Sequence, residues 1–371
     1  MNPSPPETHL NREQDNKDDT DDEVVTHGWD AIDASLAPLY GDQKPEHFGT
    51  LVSHRLGGSD PLDGISVYRR DLPVPHWHYV TYGFTELYEK ESDDPVTSGY
   101  GFELTFRLKA TEEETTAPKW VLALLQNLAR YVFKTGNVFN PGDWMTANGP
   151  IALDTGTKLC SMGFVADPEL PPVDSPNGRF QFIQVVGLTA EEERAAKQWK
   201  TAQLLEVLLP HMPLWITDLH RSSLLDIEDV ASQVKAGTER DGSSSGFLFT
   251  DVLAVQQRSR LLRSPVAEIT VGARQVQELG ALLALRLPFD RPFLLAGPDW
   301  RLGFEPGPQC AWQIDDNTMT VTMDADGARE FTQAVLPREG QYRLTGFPSL
   351  TWNVQPTLIS DANGDVIEKI G

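Results

Sequence analysis

Two histidines one residue apart, His76 and His78 in the stretch PHWHYVTYG, are the residues whose types and spacing come nearest to metal chemistry in this chain. Tyr79, Val80, Thr81 and Tyr82 are β-formers, so the stretch reads as a strand, on which residues two apart share a face. Both imidazoles then point the same way. Zinc, however, needs a third protein ligand and oriented partners behind the first shell of donors. All eight histidines precede residue 221, which leaves His47, His54, His211 and His220 as conceivable third ligands, and none has a spacing that points to the pair. The expected role is structural, with the imidazoles hydrogen-bonded inside a sheet beside Trp77 and Tyr79. The rival from another class is a metal-dependent enzyme using His76 and His78.

The other chemistry-bearing patterns are thin. Nucleotide-binding (GxGxxG, GxxxxGK[ST]) and zinc-protease (HExxH) signatures are missing, and no hydrolase elbow is expected. DADG at 324 and DANGD at 361 resemble pieces of a calcium loop but lack the closing Glu. Both read as hairpin turns, as Asp and Asn favour, and Asn363-Gly364 is the stronger of the two. Cys160 and Cys310 lie far apart without CxxC company, so neither a disulfide framework nor a thiolate metal site is expected. We therefore expect no enzyme, no metal and no cofactor.

Charge narrows the partners. A formal net charge of −23 disfavours a phosphate backbone, whose recognition rests on Lys and Arg. A basic or neutral protein partner is expected instead. Residues 1–26 read as a disordered acidic tail. Its first 23 residues hold eight acids against Arg12 and Lys17, a net of −6, with almost nothing apolar to bury. No apolar run approaches the roughly 20 residues that span a bilayer, and no signal peptide is read, so the expectation is a cytoplasmic protein.

At 371 residues the chain is long enough for two domains. GWDAIDASLAPLYG reads as a helix closed by Gly41, followed by a turn-rich link and a strand at Ile65 to Tyr68. In GYGFELTFRL, Phe102, Leu104, Phe106 and Leu108 alternate with polar residues, which predicts a half-buried strand. KWVLALLQNLARYVFK predicts an amphipathic core helix through Val121, Leu124, Leu125, Leu128 and Val132. A strand at Phe180 to Val186 leads to a capping box, Thr189 with Glu192, and a helix running to Leu209. The polar stretch VKAGTERDGSSSG holds the domain boundary, with 27–235 as the first domain, 236–246 as linker and 247–371 as the second. In the second, Phe247 to Thr250 opens a run of strands at Ala311 to Ile314, Met319 to Met323 and Leu350 to Val354, with a helix through Val276, Leu279 and Leu283. Without regular βαβ alternation, the fold class is α+β, each domain a mixed, mostly antiparallel sheet packed with helices.

Taken in order, GWDAIDASLAPLYGD, RLGGSDPLDGISVY, PHWHYVTYGF, SGYGFELTFRL, LARYVF, QVVGLTAEE with QW, and WITDLHR resemble the Suppressor of fused family from about Gly28 to Gly246. The resemblance thins from Phe247 onward. It implies a binding protein whose animal members restrain a Gli-type transcription factor in Hedgehog signalling. They clasp an extended peptide between two domains by β-augmentation. On the matching motifs, the peptide is met by Tyr131 in LARYVF and by Phe139 and Asp143 in VFNPGD, with Phe247 and Phe249 as a second lip. The C-terminal half lacks the long polar, phosphorylatable insertion of animal members and resembles compact bacterial ones. That implies an immunity protein that neutralises a polymorphic toxin. A Suppressor-of-fused-like negative regulator of a transcription factor is the alternative.

Overall fold

The computed structural model describes residues 24–50, 57–111, 113–260, 263–360 and 366–371. The expectations for the acidic tail up to residue 23, for His54 and for the Asn363-Gly364 turn lie outside the described residues. In chain order the first domain carries α1 (His27–Tyr40), β1 (Glu46–Gly49), β2 (Gly64–Arg70), β3 (His76–Tyr82), β4 (Thr97–Lys109), α2 (Trp120–Thr135), β5 (Trp144–Thr146), β6 (Leu159–Ala166), β7 (Val173–Ser175), β8 (Gly178–Thr189), α3 (Ala190–Gln198), α4 (Thr201–Leu208) and α5 (Glu228–Asp241). Its strands form one eight-stranded sheet in the order β1-β2-β3-β4-β8-β6-β5, with β7 beside β8. The pairing of β4 with β8 is parallel, and the other ladders are antiparallel.

Both faces of this sheet are covered. Phe102, Leu104, Phe106 and Leu108 of β4 share one core with Val121, Leu125, Leu128 and Val132 of α2. On the opposite face α1 packs Ile32, Leu36 and Tyr40 against Tyr68, Val80 and Phe182, while α3, α4 and α5 cover Val165, Val186 and Leu188. The half-buried strand expected for β4 is thus corrected: Glu103, Thr105 and Arg107 are fully buried too. They can be, because each side chain finds partners on other strands and loops, which sequence alternation does not register.

Two helical expectations also change. The helix beginning at the Thr189–Glu192 capping box stops at Gln198 and restarts at Thr201. Trp199 and Lys200 leave helical geometry there. The break has a use, since the Trp199 carbonyl accepts the Ser244 N–H at 2.8 Å and its indole N–H donates to Asp241 at 3.0 Å. The polar stretch from Val234 is not an open connection throughout, because α5 continues to Asp241. The remainder is pinned on both sides. Ser243 donates its N–H to the Leu285 carbonyl, and its own carbonyl accepts from Arg286 at 2.9 Å and Arg291 at 3.0 Å.

The second domain runs through β9 (Phe247–Phe249), β10 (Leu253–Arg260), β11 (Arg263–Gly272), α6 (Ala273–Leu283), β12 (Phe293–Ala296), β13 (Arg301–Pro306), β14 (Ala311–Asp315), β15 (Thr318–Met323), α7 (Ala325–Ala334), β16 (Gly340–Leu344), β17 (Phe347–Gln355), β18 (Thr357–Ser360) and β19 (Val366–Ile370). A five-stranded sheet, β14-β15-β13-β12-β9, and a four-stranded sheet, β10-β11-β17-β16, enclose one core with α6 and α7. Trp352 at its centre is fully buried, stacked on Phe304 and edge-on to Phe331. DADG is not a hairpin turn: Asp324 is the N-cap of α7, its carboxylate accepting the Gly327 N–H at 2.7 Å.

Candidate functional site

A cavity of about 330 Å³ opens where the end of α2, the loop after it, β5 and the inter-domain connection meet. Tyr131, Phe139, Asp143 and Trp144 line one side, and Thr201, Ser244 and Ser245 the other. The helix α2 ends at Gly136, whose left-handed φ of +73° reverses the chain. The reversed segment returns Phe139 onto the helix. Its ring, only 5% exposed, is stacked between Tyr131 at 5.8 Å and Phe164 at 4.2 Å. Phe139 therefore backs the wall, and the half-buried Tyr131 presents it. The Tyr131 hydroxyl accepts from the Asn137 amide at 3.1 Å.

Asp143 sits at the mouth of β5. One carboxylate oxygen, Oδ2, accepts the Asn140 N–H at 2.8 Å and so closes the turn Asn140-Pro141-Gly142. Gly142 in that turn has φ +97°, which favours glycine. The other oxygen has no hydrogen-bond donor among the described residues. A carboxylate half-engaged in this way can accept a charge-assisted bond from a cationic or N–H group entering the cavity.

One sheet edge borders the site and a second begins just beyond its junction residues. β5 is one edge strand of the eight-stranded sheet, and β9 is one edge strand of the five-stranded sheet. Inward bonds run from Gly142 N to Phe164 O, from Phe164 N to Asp143 O and from Ala147 N to Cys160 O. Antiparallel alternation then leaves the N–H and C=O groups of Trp144 and Thr146 on the outer side. On β9, Leu294 N binds Gly246 O and Thr250 N binds Ala296 O, so the outward groups belong to Phe247 and Phe249. The rings of these two phenylalanines lie 4.4 Å apart, edge to face, with Phe247 41% and Phe249 79% exposed. Of the five predicted contact residues, the structure brings Tyr131, Phe139 and Asp143 into one cavity. Phe247 and Phe249 lie outside its lining, on the edge strand β9 of the second domain. Trp144, Thr201, Ser244 and Ser245 were not foreseen. Only an edge-strand position and a junction sequence rich in Ser could have signalled them.

His76 and His78 are both fully buried. His76 shares a 2.7 Å hydrogen bond between Nδ1 and the Val74 carbonyl. Nδ1 of His78 lies 2.5 Å from the Tyr40 hydroxyl, and its Nε2 faces Asp167 at 3.6 Å. Burial holds each imidazole down at a pKa of about 4, so both are neutral at physiological pH. Burial raises the Tyr40 hydroxyl above its ordinary value, which keeps it a proton donor toward His78. Burial also acts to raise the Asp167 carboxyl, but the His78 imidazole and the Arg107 charge outweigh it, and the group stays ionised. Arg107 grips both Asp167 oxygens, at 2.6 and 3.1 Å, and reaches Glu169 at 3.0 Å. Of the candidate third ligands, His47 is hydrogen-bonded to Ser66 on a neighbouring strand. Among the described residues no three His, Cys, Asp or Glu side chains converge to hold a metal ion. The run GSSSG at 242–246 fits the letter of a nucleophile elbow. Its central Ser244 instead lies in a loop between α5 and β9 and donates to the Trp199 carbonyl at 3.1 Å.

A second buried carboxylate, Glu103, organises the turn after β3. It accepts from the Thr81 and Thr85 hydroxyls and from the Gly83 and Thr85 N–H groups, at 2.6 to 3.0 Å. Burial pushes it up to about 7 despite these donors.

The fold and site define a two-domain α+β protein with a cavity at the β5 edge and the inter-domain junction. The family model for Suppressor of fused protein matches residues 58–222. The human Suppressor of fused homolog is 37% identical over 234 residues, covering 58% of this chain and 48% of the human protein, and the mouse homolog matches equally. The chain thus spans about half the length of the curated relatives it matches. A chain from the crystal structure of the Sufu–Fu complex aligns at 31% identity and TM-score 0.53, covering 57% of this chain and 98% of that one. Drosophila Suppressor of Fused shares the two-domain fold, with TM-score 0.75 at 22% identity over 89% of this chain and 97% of that one. The chain belongs to the Suppressor of fused family. Among the described residues no helix is long and apolar enough to cross a membrane.

Proposed function

We propose that this protein is a non-enzymatic binding module that sequesters a protein partner by holding an extended segment of it between β5 and β9. The observation that carries the reading is a cavity lined by Tyr131, Asp143 and Trp144 on the β5 edge and by Ser244 and Ser245, just before a second unpaired edge, Phe247 with Phe249 on β9. An inserted strand would satisfy main-chain groups on both edges, while Tyr131 and Asp143 read its side chains. The partner segment is basic or neutral, in keeping with a chain of net charge −23. The division into a first domain ending with α5 at Asp241 and a second from Phe247 to Gly371, joined through 242–246, belongs to the same reading; the boundary expected at 235 falls inside α5.

Between the two biological roles, the negative regulator is favoured over the toxin-neutralising immunity protein. Relatives at 37% identity include the human and mouse Suppressor of fused homologs, and one related chain at 31% identity is solved in a complex with Fu. A pull-down from the native host tests it, comparing the wild type with the Tyr131→Ala, Asp143→Ala double variant. A partner held by the wild type and lost from the double variant supports the groove. A partner retained by both moves the interface elsewhere. A secreted toxin as the captured protein would restore the immunity role.

A further inference from the structure

Lys197 touches more of the assembly than any sequence pattern suggests. It lies near the end of α3 and is 12% exposed. Its ammonium is 2.7 Å from Glu193 on its own helix and 3.2 Å from Glu278 on α6 of the second domain. The same ammonium stands 4.7 Å from the centre of the Trp144 ring, on the edge strand β5. Its backbone carbonyl accepts the Ser243 hydroxyl at 2.5 Å, at the junction of the domains. One residue thus contacts the second domain, the junction and the groove wall.

The surroundings give this contact weight. A cavity of about 330 Å³ lies between α3 and α6 beside the ion pair, so the two helices do not close a fully filled seam there. The half-buried Trp144 side chain lines the groove, and a cation over an indole face is attracted by the ring quadrupole, most strongly when partly desolvated. Glu278 itself has no place on the groove lining. Its influence on Trp144 passes through the ammonium they share.

From this geometry we infer that Lys197 is a positioning residue through which the second domain holds Trp144, and with it the β5 edge, in the register that accepts a partner strand. The inference rests on the groove reading above and adds its regulation: whatever draws Glu278 from Lys197 loosens the strand that the partner pairs with. By linkage, a strand that fixes β5 favours the Lys197–Glu278 contact in return.

The test needs no partner, so its outcome is separable from that of the pull-down. The protein is labelled with 5-fluorotryptophan, which gives nine fluorine resonances for its nine tryptophans, and Trp144→Phe identifies one of them. Lys197→Met should displace and broaden the Trp144 resonance, and Lys197→Arg should keep it near its wild-type position. Glu278→Gln, which does not touch the ring, should displace it in the same direction as Lys197→Met while the resonances of buried Trp77 and Trp352 stay in place. Spin labels at Ser92→Cys and Asn317→Cys, in a background with Cys160 and Cys310 replaced by Ser, should show a broader inter-domain distance distribution in Glu278→Gln. A Trp144 resonance unmoved by Glu278→Gln would overturn the inference, as would a shift reproduced equally by Lys197→Arg.

Discussion

Lowering the pH should destabilise this protein through His78, by an amount that can be worked out. The folded state holds the imidazole at about 4 because it is wholly buried, whereas the unfolded chain binds a proton near pH 6.5. Stability is therefore fully present above about 6.5 and drains away as pH falls toward 4, where the unfolded state alone takes up the proton. Between pH 7.5 and 5 the linkage amounts to about 2 kcal/mol for this one group. His76 is depressed in the same direction, while Glu103, raised to about 7, works oppositely and adds stability as pH falls below 7. Wild type alone would mix all three. The informative comparison is His78→Asn, which keeps an acceptor near the Tyr40 hydroxyl, with urea unfolding measured at both pH values. The variant should be less stable at pH 7.5 yet lose about 2 kcal/mol less than wild type on going to pH 5. Equal losses would refute the assignment of a neutral, buried His78.

Other outcomes follow from single contacts. Asp167→Asn strands the fully buried Arg107 and should cost about 3 kcal/mol in urea unfolding, the low end for a broken buried pair because Glu169 remains; a loss under about 1 kcal/mol would count against it. Gly237→Ala would place a methyl group 2.1 Å from the Trp199 ring and should destabilise the docking of α5 by about 1–3 kcal/mol, read as a lower melting temperature. Thr146→Pro removes an outward N–H from the β5 edge, so partner capture should fall while the melting temperature stays near that of wild type.

Sequence pattern reached far into the fold where one face of an element meets one core. The spacing of Val121, Leu125, Leu128 and Val132 sufficed for α2, and Thr189 with Glu192 for the start of α3. It failed where polar residues are buried by distant partners. Glu103 and Arg107 look like the wet side of β4, and partners distant in sequence, Thr81 and Thr85 for the first and Asp167 and Gln184 for the second, make them interior. It also failed at α5, whose three buried residues, Val230, Val234 and Gly237, are too few to rise above a polar background. For the site, local pattern left Tyr131 and Asp143 open between packing and binding, and it was the family resemblance that singled them out. Trp144 and Lys197 were invisible to both readings, because their significance lies in contacts between segments remote in the chain.

The central claim is that a partner strand lies between β5 and β9, and amide hydrogen exchange on the captured complex addresses it most directly. The account predicts that the outward amides of Trp144, Thr146, Phe247 and Phe249 exchange freely in the isolated protein and become protected together in the complex. A bound partner that leaves these four amides exchanging at their free rates would contradict it.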